Sequence, residues 1–183
     1  MAHEDRSRFG VEMVSIRPAT EADVPSITDI YNALLESTTY EWTETPYSTE
    51  DRLDWLRQMD SVGHPVLVAA DVNQVVGVGS YGDFRDSTRW PGHRFTVEHS
   101  IHVDGQHWSR GIGRALIGEL GARARLDNKR VMVAGIDASN VRSIGFHARL
   151  AFVEVARMPG VGDKWGQRLE LVLMQCDLGD VDW

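Results

Sequence analysis

The chain has 183 residues, 42% of them hydrophobic and 25% charged, which suits one globular domain burying roughly 70% of its unfolded surface. Its net charge of -8, from 19 basic and 27 acidic residues, disfavours the sequence-independent attraction to nucleic acid or anionic membrane that a basic chain would have. No apolar run approaches the roughly 18 residues of a membrane span, the start MAHEDRSRFG lacks an apolar signal core, and one cysteine excludes an internal disulfide, so a cytoplasmic protein is expected.

Val14 to Arg17 reads as a strand. Thr20 then offers an N-cap ahead of an acidic first turn, for a helix reaching about Leu35 with Pro25 tolerated near its start. Ser48 caps a second helix to Met59, in which Leu53, Trp55, Leu56 and Met59 recur at helical spacing. Pro65 to Ala70 and Val75 to Tyr81 are β-branched runs on either side of Asp71 to Gln74, the pattern of a hairpin. A polar loop containing Gly and Pro leads into a strand from Phe95 to Val103. Gly113 to Asn128 follows as a helix, Val131 to Ile136 as a strand and Asn140 to Leu150 as a helix capped near Ser139 or Asn140. Phe152 to Arg157 and Gln167 to Cys176 are the last strands, joined around MPGVGDKWG. Cys176 reads as a small buried hydrophobe in a late strand. This order predicts a mixed, largely antiparallel α/β sheet flanked by helices. One domain is expected over residues 13–178, with a flexible extension over 1–12 and a tail over 179–183.

The chemistry concentrates in residues 99 to 116, HSIHVDGQHWSRGIGRAL. A strand that enters a glycine turn and then a helix brings unpaired backbone N–H groups and the positive end of the helix dipole to one point, where an anion can sit. Gly111 and Gly113 leave room for such a ligand, and Arg110 and Arg114 add charge. The Walker loop is not matched, because Arg114 and Ala115 follow Gly113 where Lys and Ser or Thr belong. Leu116 stands where the dinucleotide fingerprint needs its third small residue. By itself SRGIGR is equally a turn with a helix start.

Its surroundings carry a family resemblance. Phe95-Thr-Val-Glu-His-Ser-Ile-His-Val103, then Ser109-Arg-Gly-Ile-Gly-Arg114, then Asn140-x-x-Ser143-Ile-Gly-x-His147-x-x-Leu150-Ala-Phe152 together resemble the GCN5-related N-acetyltransferase (GNAT) fold. Within that fold the chain is similar to the phosphinothricin and methionine sulfoximine (methionine sulfone) N-acetyltransferase branch. Ile16-Arg-Pro-Ala-Thr-Glu-Ala-Asp23, Ile30-Tyr-Asn32, Glu44-Thr-Pro46 and Met158-Pro-Gly-Val-Gly-x-Lys164 extend the likeness over nearly the whole chain. The resemblance implies acetyl-CoA as donor and no metal, a small amine acceptor, a role in detoxification and a homodimer. It implies that the pyrophosphate lies on the backbone of Ser109, Arg110, Gly111, Ile112, Gly113 and Arg114, and that Ile101, His102 and Val103 hold the pantetheine arm. Asn140 and Ser143 would also meet the cofactor. Glu98, His99 and Ser100 would lie beside the acceptor amine, with Arg85 and Trp90 on its carboxylate and side chain. The chain departs from the pattern at Trp108, where Gln or Arg is usual, and in a longer loop from Arg85 to Glu98.

Amine acetylation needs a neutral amine, a positioned thioester and a proton for the leaving thiolate. Strand alternation sends Glu98, Ser100 and His102 to one face and Val97, His99, Ile101 and Val103 to the other. Glu98 is the candidate base, with an ion pair to Arg94 as its structural alternative. His147, at a position where many members of the fold place a Tyr, is the candidate acid, with a hydrogen bond to the cofactor as its alternative role. His99 and His102 fall on opposite faces, which argues against a shared zinc. Trp42, Trp55 and Trp90 are candidates for an apolar acceptor pocket, with Trp55 at core spacing. Two other functions stay open: an enzyme acting on a protein N-terminus or an aminoglycoside, and a non-catalytic acyl-CoA sensor, for which Glu98 would be superfluous.

Overall fold

The computed structural model describes residues 14–71, 74–181 and 183. The expected N-terminal extension and the middle of the Asp71 to Gln74 turn lie outside them. In chain order the elements are β1 (Ser15–Pro18), α1 (Val24–Ser37), α2 (Thr49–Ser61), β2 (Val66–Ala70), β3 (Val75–Asp83) and β4 (Thr96–Val103), followed by α3 (Ile112–Leu126), β5 (Val131–Asp137), α4 (Val141–Ala148), β6 (Val153–Lys164) and β7 (Gln167–Asp177). The strands form one seven-stranded sheet in the order β1-β2-β3-β4-β5-β7-β6. Only β4 and β5 run parallel, as a strand, crossover helix, strand unit requires. The mixed, largely antiparallel architecture read from the sequence is present.

Both faces of the sheet centre are covered, which explains why β2 is apolar throughout and β3 is buried continuously from Val76 to Tyr81. On one face, Leu116, Ile117, Leu120 and Ala124 of α3 pack on Val97, Met132 and Val172. On the other, Val24, Ile27 and Tyr31 of α1 and Leu56 of α2 pack on Val66, Val68 and Val78. A fully buried aliphatic side chain contributes about 1.5–3 kcal/mol, so these two layers fix the sheet between its helices.

Two boundaries differ from expectation. Thr20 opens a turn of 3-10 helix (Glu21–Asp23) ahead of α1; Asp23 accepts from both the Thr20 N–H and Oγ1–H at 2.8 Å. Arg17, at 2.7 Å, and these donors hold the Asp23 carboxyl down at about 2. The segment MPGVGDKWG is mostly strand: β6 continues to Lys164 because the register slips between Met158 and Gly162, absorbing Pro159 on an edge strand. Trp183 packs against the core: its ring stacks on Phe152 at 6.0 Å and its indole N–H donates to the Leu150 carbonyl at 3.0 Å. Cys176 is buried, as expected, and burial pushes its thiol up to about 11.

Candidate active site

The site begins where two strands part. β4 and β5 pair from Thr96↔Val131 to His99↔Ala134 and no further, while β4 stays paired with β3 through Val103. The β4 backbone from Ser100 to Val103 therefore presents a free edge toward the gap, able to hydrogen-bond an amide-bearing chain as a strand would. A cleft of about 1000 Å³ opens there. Ile101, His102, Val103, Ser109, Asn140 and Ser143 line it, as do Gly111, Ile112, Gly113 and Arg114. Of the residues the sequence assigned to the cofactor, Arg110 alone stands outside the cleft wall, exposed.

At the far end of the cleft, Ser109 (φ 64°) and Gly111 (φ 84°) both adopt left-handed backbone, turning the chain so that α3 starts with its N–H groups facing the opening. A Cβ on Gly111 would meet only open space, whereas one on Gly113 would lie 3.1 Å from Phe146. Gly113 thus serves the packing of α4 on α3 as well as ligand approach. Trp108 donates its indole N–H to the Val103 carbonyl at 2.7 Å and carries the Arg142 guanidinium 4.3 Å from its ring. Arg142 also donates to Ser109 Oγ at 3.1 Å. The departure at Trp108 is thereby accounted for: it supplies no direct positive charge but stations Arg142, another residue of the cleft wall, beside the helix start. Sequence patterning gave no signal for Arg142, since only the fold brings it 33 positions back to Ser109.

The face of β4 toward α3 and α4 carries His99, whose ring centroid is 5.1 Å from that of His147. Both are buried and both line the cleft. His147 Nδ1 donates to the Ser143 carbonyl at 2.8 Å, so that nitrogen holds the proton, and Nε2 has no partner among the described residues. Among the described residues neither nitrogen of His99 has a partner. Burial lowers the affinity of both rings for a second proton, more strongly for His99, which also feels His147 and His102. Three orphaned polar atoms beside a cleft are unusual in a native core and suit a polar ligand group. His99 lies on the opposite face of β4 from Glu98 and Ser100.

The other face of β4 carries Glu98, Ser100 and His102. Glu98 lines the cleft, and its carboxylate lies over Gly135 of β5. Partial burial raises its carboxyl above the ordinary value of 4.5, the direction that suits a general base. Arg94 does not pair with it; the guanidinium donates to the Pro91 carbonyl at 2.8 Å and stacks on Phe95. Further along, His102 Nε2 lies 3.1 Å from Glu41. Glu41 was not expected from the sequence; it arrives from the link between α1 and α2.

Arg85 and Trp90 are exposed on the β3–β4 loop, outside the cleft wall. Trp42 donates to Asp137 at 3.0 Å, and Trp55 packs in the α1–α2 layer. Among the described residues no group of three or more His, Cys, Asp or Glu could hold a metal. No helix there is long and apolar enough to cross a membrane.

A divergent strand pair, a helix start at its mouth and a carboxylate at its fork are features of an acyl-CoA-dependent transferase. Residues 27–152 match the acetyltransferase (GNAT) family, and the chain belongs to it. It is 41% identical over 167 residues to an L-methionine sulfoximine/L-methionine sulfone acetyltransferase of Salmonella typhimurium, covering 91% of this chain and 96% of that one. A Salmonella typhimurium acetyltransferase solved with its cofactor acetyl-CoA superposes with a TM-score of 0.84 at 40% identity, over 92% of this chain and 95% of the other. A phosphinothricin acetyltransferase of Sinorhizobium meliloti in complex with acetyl-CoA gives a TM-score of 0.83 at 32% identity, over 90% and 88%. The chain is an acetyl-CoA-dependent N-acetyltransferase.

Proposed function

We propose that this enzyme acetylates the primary amine of a small amino-acid-like acceptor of the methionine sulfoximine, methionine sulfone or phosphinothricin type, a detoxifying reaction in the cytoplasm. The single observation that carries the assignment is Glu98, held at the fork of β4 and β5 with a raised affinity for protons and, among the described residues, no cation paired with it. The amine nitrogen attacks the thioester carbonyl carbon, the C–S bond breaks, and the proton lost by nitrogen goes to Glu98. The thiolate takes up a proton as it leaves. His147 is the candidate for that step, and its tautomer sets a condition: Nε2 holds a lone pair, so it must gain a proton before it can give one. Ser109 and Gly111 to Arg114, with Arg142, would hold the pyrophosphate; Ile101, His102 and Val103 would hold the pantetheine through their backbone.

A homodimer belongs to this reading. The outermost strand β6 exposes Val153, Val155, Met158 and Val161, and the turn after it exposes Trp165, apolar groups that a second copy would cover. Such a contact could also bring Arg85 and Trp90 to an acceptor. Free-thiol release from acetyl-CoA, measured against methionine sulfoximine, methionine sulfone, phosphinothricin, aminoglycosides and peptide amines, tests the function. Release with the first three is expected; release only with peptides or aminoglycosides would overturn the acceptor assignment.

A further inference from the structure

The acceptor face of β4 ends in a polar cluster that the transfer step above does not use. His102 Nε2 lies 3.1 Å from Glu41 Oε1 and 2.9 Å from Ser100 Oγ, while the Tyr31 ring packs on the imidazole at 4.3 Å. Glu41 lines the cleft on a link that is fastened at several points. Lys164, fully buried, donates to the carbonyls of Leu35, Thr38 and Glu41 at 2.6, 2.7 and 2.8 Å. Trp42 donates to Asp137 at 3.0 Å, and the Trp165 N–H to Glu44 at 2.6 Å. A buried ammonium spent on loop carbonyls is costly unless the loop must be held. The held loop presents one carboxylate to the cleft.

We propose that Glu41 is an acceptor-specificity residue: it accepts a hydrogen bond from a donor at the side-chain end of the acceptor, while Glu98 receives the amine. The inference rests on the amino-acid reading above. Glu98 and Ser100 are two residues, about 7 Å, apart along β4. Ser100 and Glu41 meet at the same imidazole nitrogen, and Glu98, Ser100 and Glu41 all line the one cleft. His102 gives Glu41 one hydrogen bond, and a carboxylate can accept about four. Burial opposes ionisation of Glu41, but the His102 hydrogen bond and the positive fields of His102, Arg52 and Lys164 outweigh it and lower its pKa. It therefore stays ionised while Glu98 is poised to exchange a proton, a division of roles set by environment. A sulfoximine offers an imino N–H to such a group. A sulfone offers only oxygen acceptors, and a phosphinate brings a like charge.

The test compares kcat/KM for methionine sulfoximine and methionine sulfone in the wild type and in Glu41→Gln, with acetyl-CoA binding measured by calorimetry. Glu41→Gln keeps an oxygen for His102 and removes the charge. The wild type should prefer the sulfoximine by about tenfold, the worth of one charge-assisted hydrogen bond, and the variant should lose most of that preference through KM. Acetyl-CoA binding should not change. An equal preference in both proteins, or weakened acetyl-CoA binding in the variant, would overturn the role of Glu41 alone. Thiol release with neither acceptor in the wild type would instead sink the amino-acid reading and this inference with it.

Discussion

The Glu98 carboxylate occupies the space that a side chain on Gly135 would need: a Cβ built there falls 2.9 Å from Glu98 Oε1. Gly135 belongs to β5, beyond the last β4–β5 pair at His99↔Ala134, so the residue after the fork must be small for the base to fold across it. Gly135→Ala should displace the carboxylate and lower kcat by about 10- to 100-fold, the usual effect of misplacing a reacting group by a fraction of an ångström to one ångström. Acetyl-CoA affinity should be retained. Glu98→Gln supplies the control: the acid limb of kcat/KM, lying above the ordinary carboxylate range in the wild type because Glu98 is raised, should vanish along with most of the rate. Unchanged turnover in Glu98→Gln would remove the base from the mechanism.

His99 gives a prediction of the opposite sign for stability. Both its nitrogens are buried without partners, a desolvation cost of about 1–3 kcal/mol that an apolar residue of similar volume avoids. His99→Leu should therefore raise the Tm of the ligand-free protein while slowing transfer. Its pH dependence follows from the lowered pKa. The unfolded chain binds a proton below about 6.5 that the folded ring refuses, so stability falls as pH drops through that value. The loss between pH 7 and pH 5 should be smaller in the variant, though not absent, since His147 is lowered in the same way. A lower Tm with normal turnover would make His99 a packing residue.

Trp108 and Arg142 should act as one unit at the cofactor's anionic end. Arg142→Ala is expected to weaken CoA binding by about tenfold, in keeping with one lost charge-assisted contact, and to flatten the salt dependence of binding. Trp108→Ala should do nearly the same without removing any charge, because the ring positions the guanidinium. The double variant should then cost little more than either single one. Additive losses in a calorimetric double-mutant cycle would separate the two residues.

What could be read in the sequence was local. Alternation from Phe95 to Val103 is enough to divide Glu98, Ser100 and His102 from His99 and Ile101, because strand period fixes the face whatever the strand pairs with. The glycine turn before α3 was equally legible. Glu41, Arg142 and the function of Lys164 were not, because each depends on contacts between distant segments: Lys164 reaches back 129 positions to Leu35. Gly113 was half-read for the same reason. Its local meaning is ligand access, but the atom it makes room for within the protein belongs to Phe146. The acceptor end is thus assembled from long-range packing around a β4 strand that sequence alone could orient but not furnish.

That assembly turns on Lys164. Its ammonium satisfies three carbonyls at the C-terminal end of α1 and in the link beyond it, groups that the helix leaves without N–H partners. Burial makes it easier to deprotonate, while Glu41 and Glu44 oppose that change. Lys164→Met keeps the aliphatic stem but strands the carbonyls, and should destabilise the fold by about 2–4 kcal/mol, or about 5–15 °C in Tm at this size. Measured well below that Tm, the surviving folded enzyme should bind acetyl-CoA normally, since the helix start at α3 lies on the opposite face of the sheet. Its KM for the acceptor should rise, because the link that carries Glu41 has lost its anchor. A variant with reduced Tm but an unchanged acceptor KM would show that Lys164 supports the fold without setting the acceptor end.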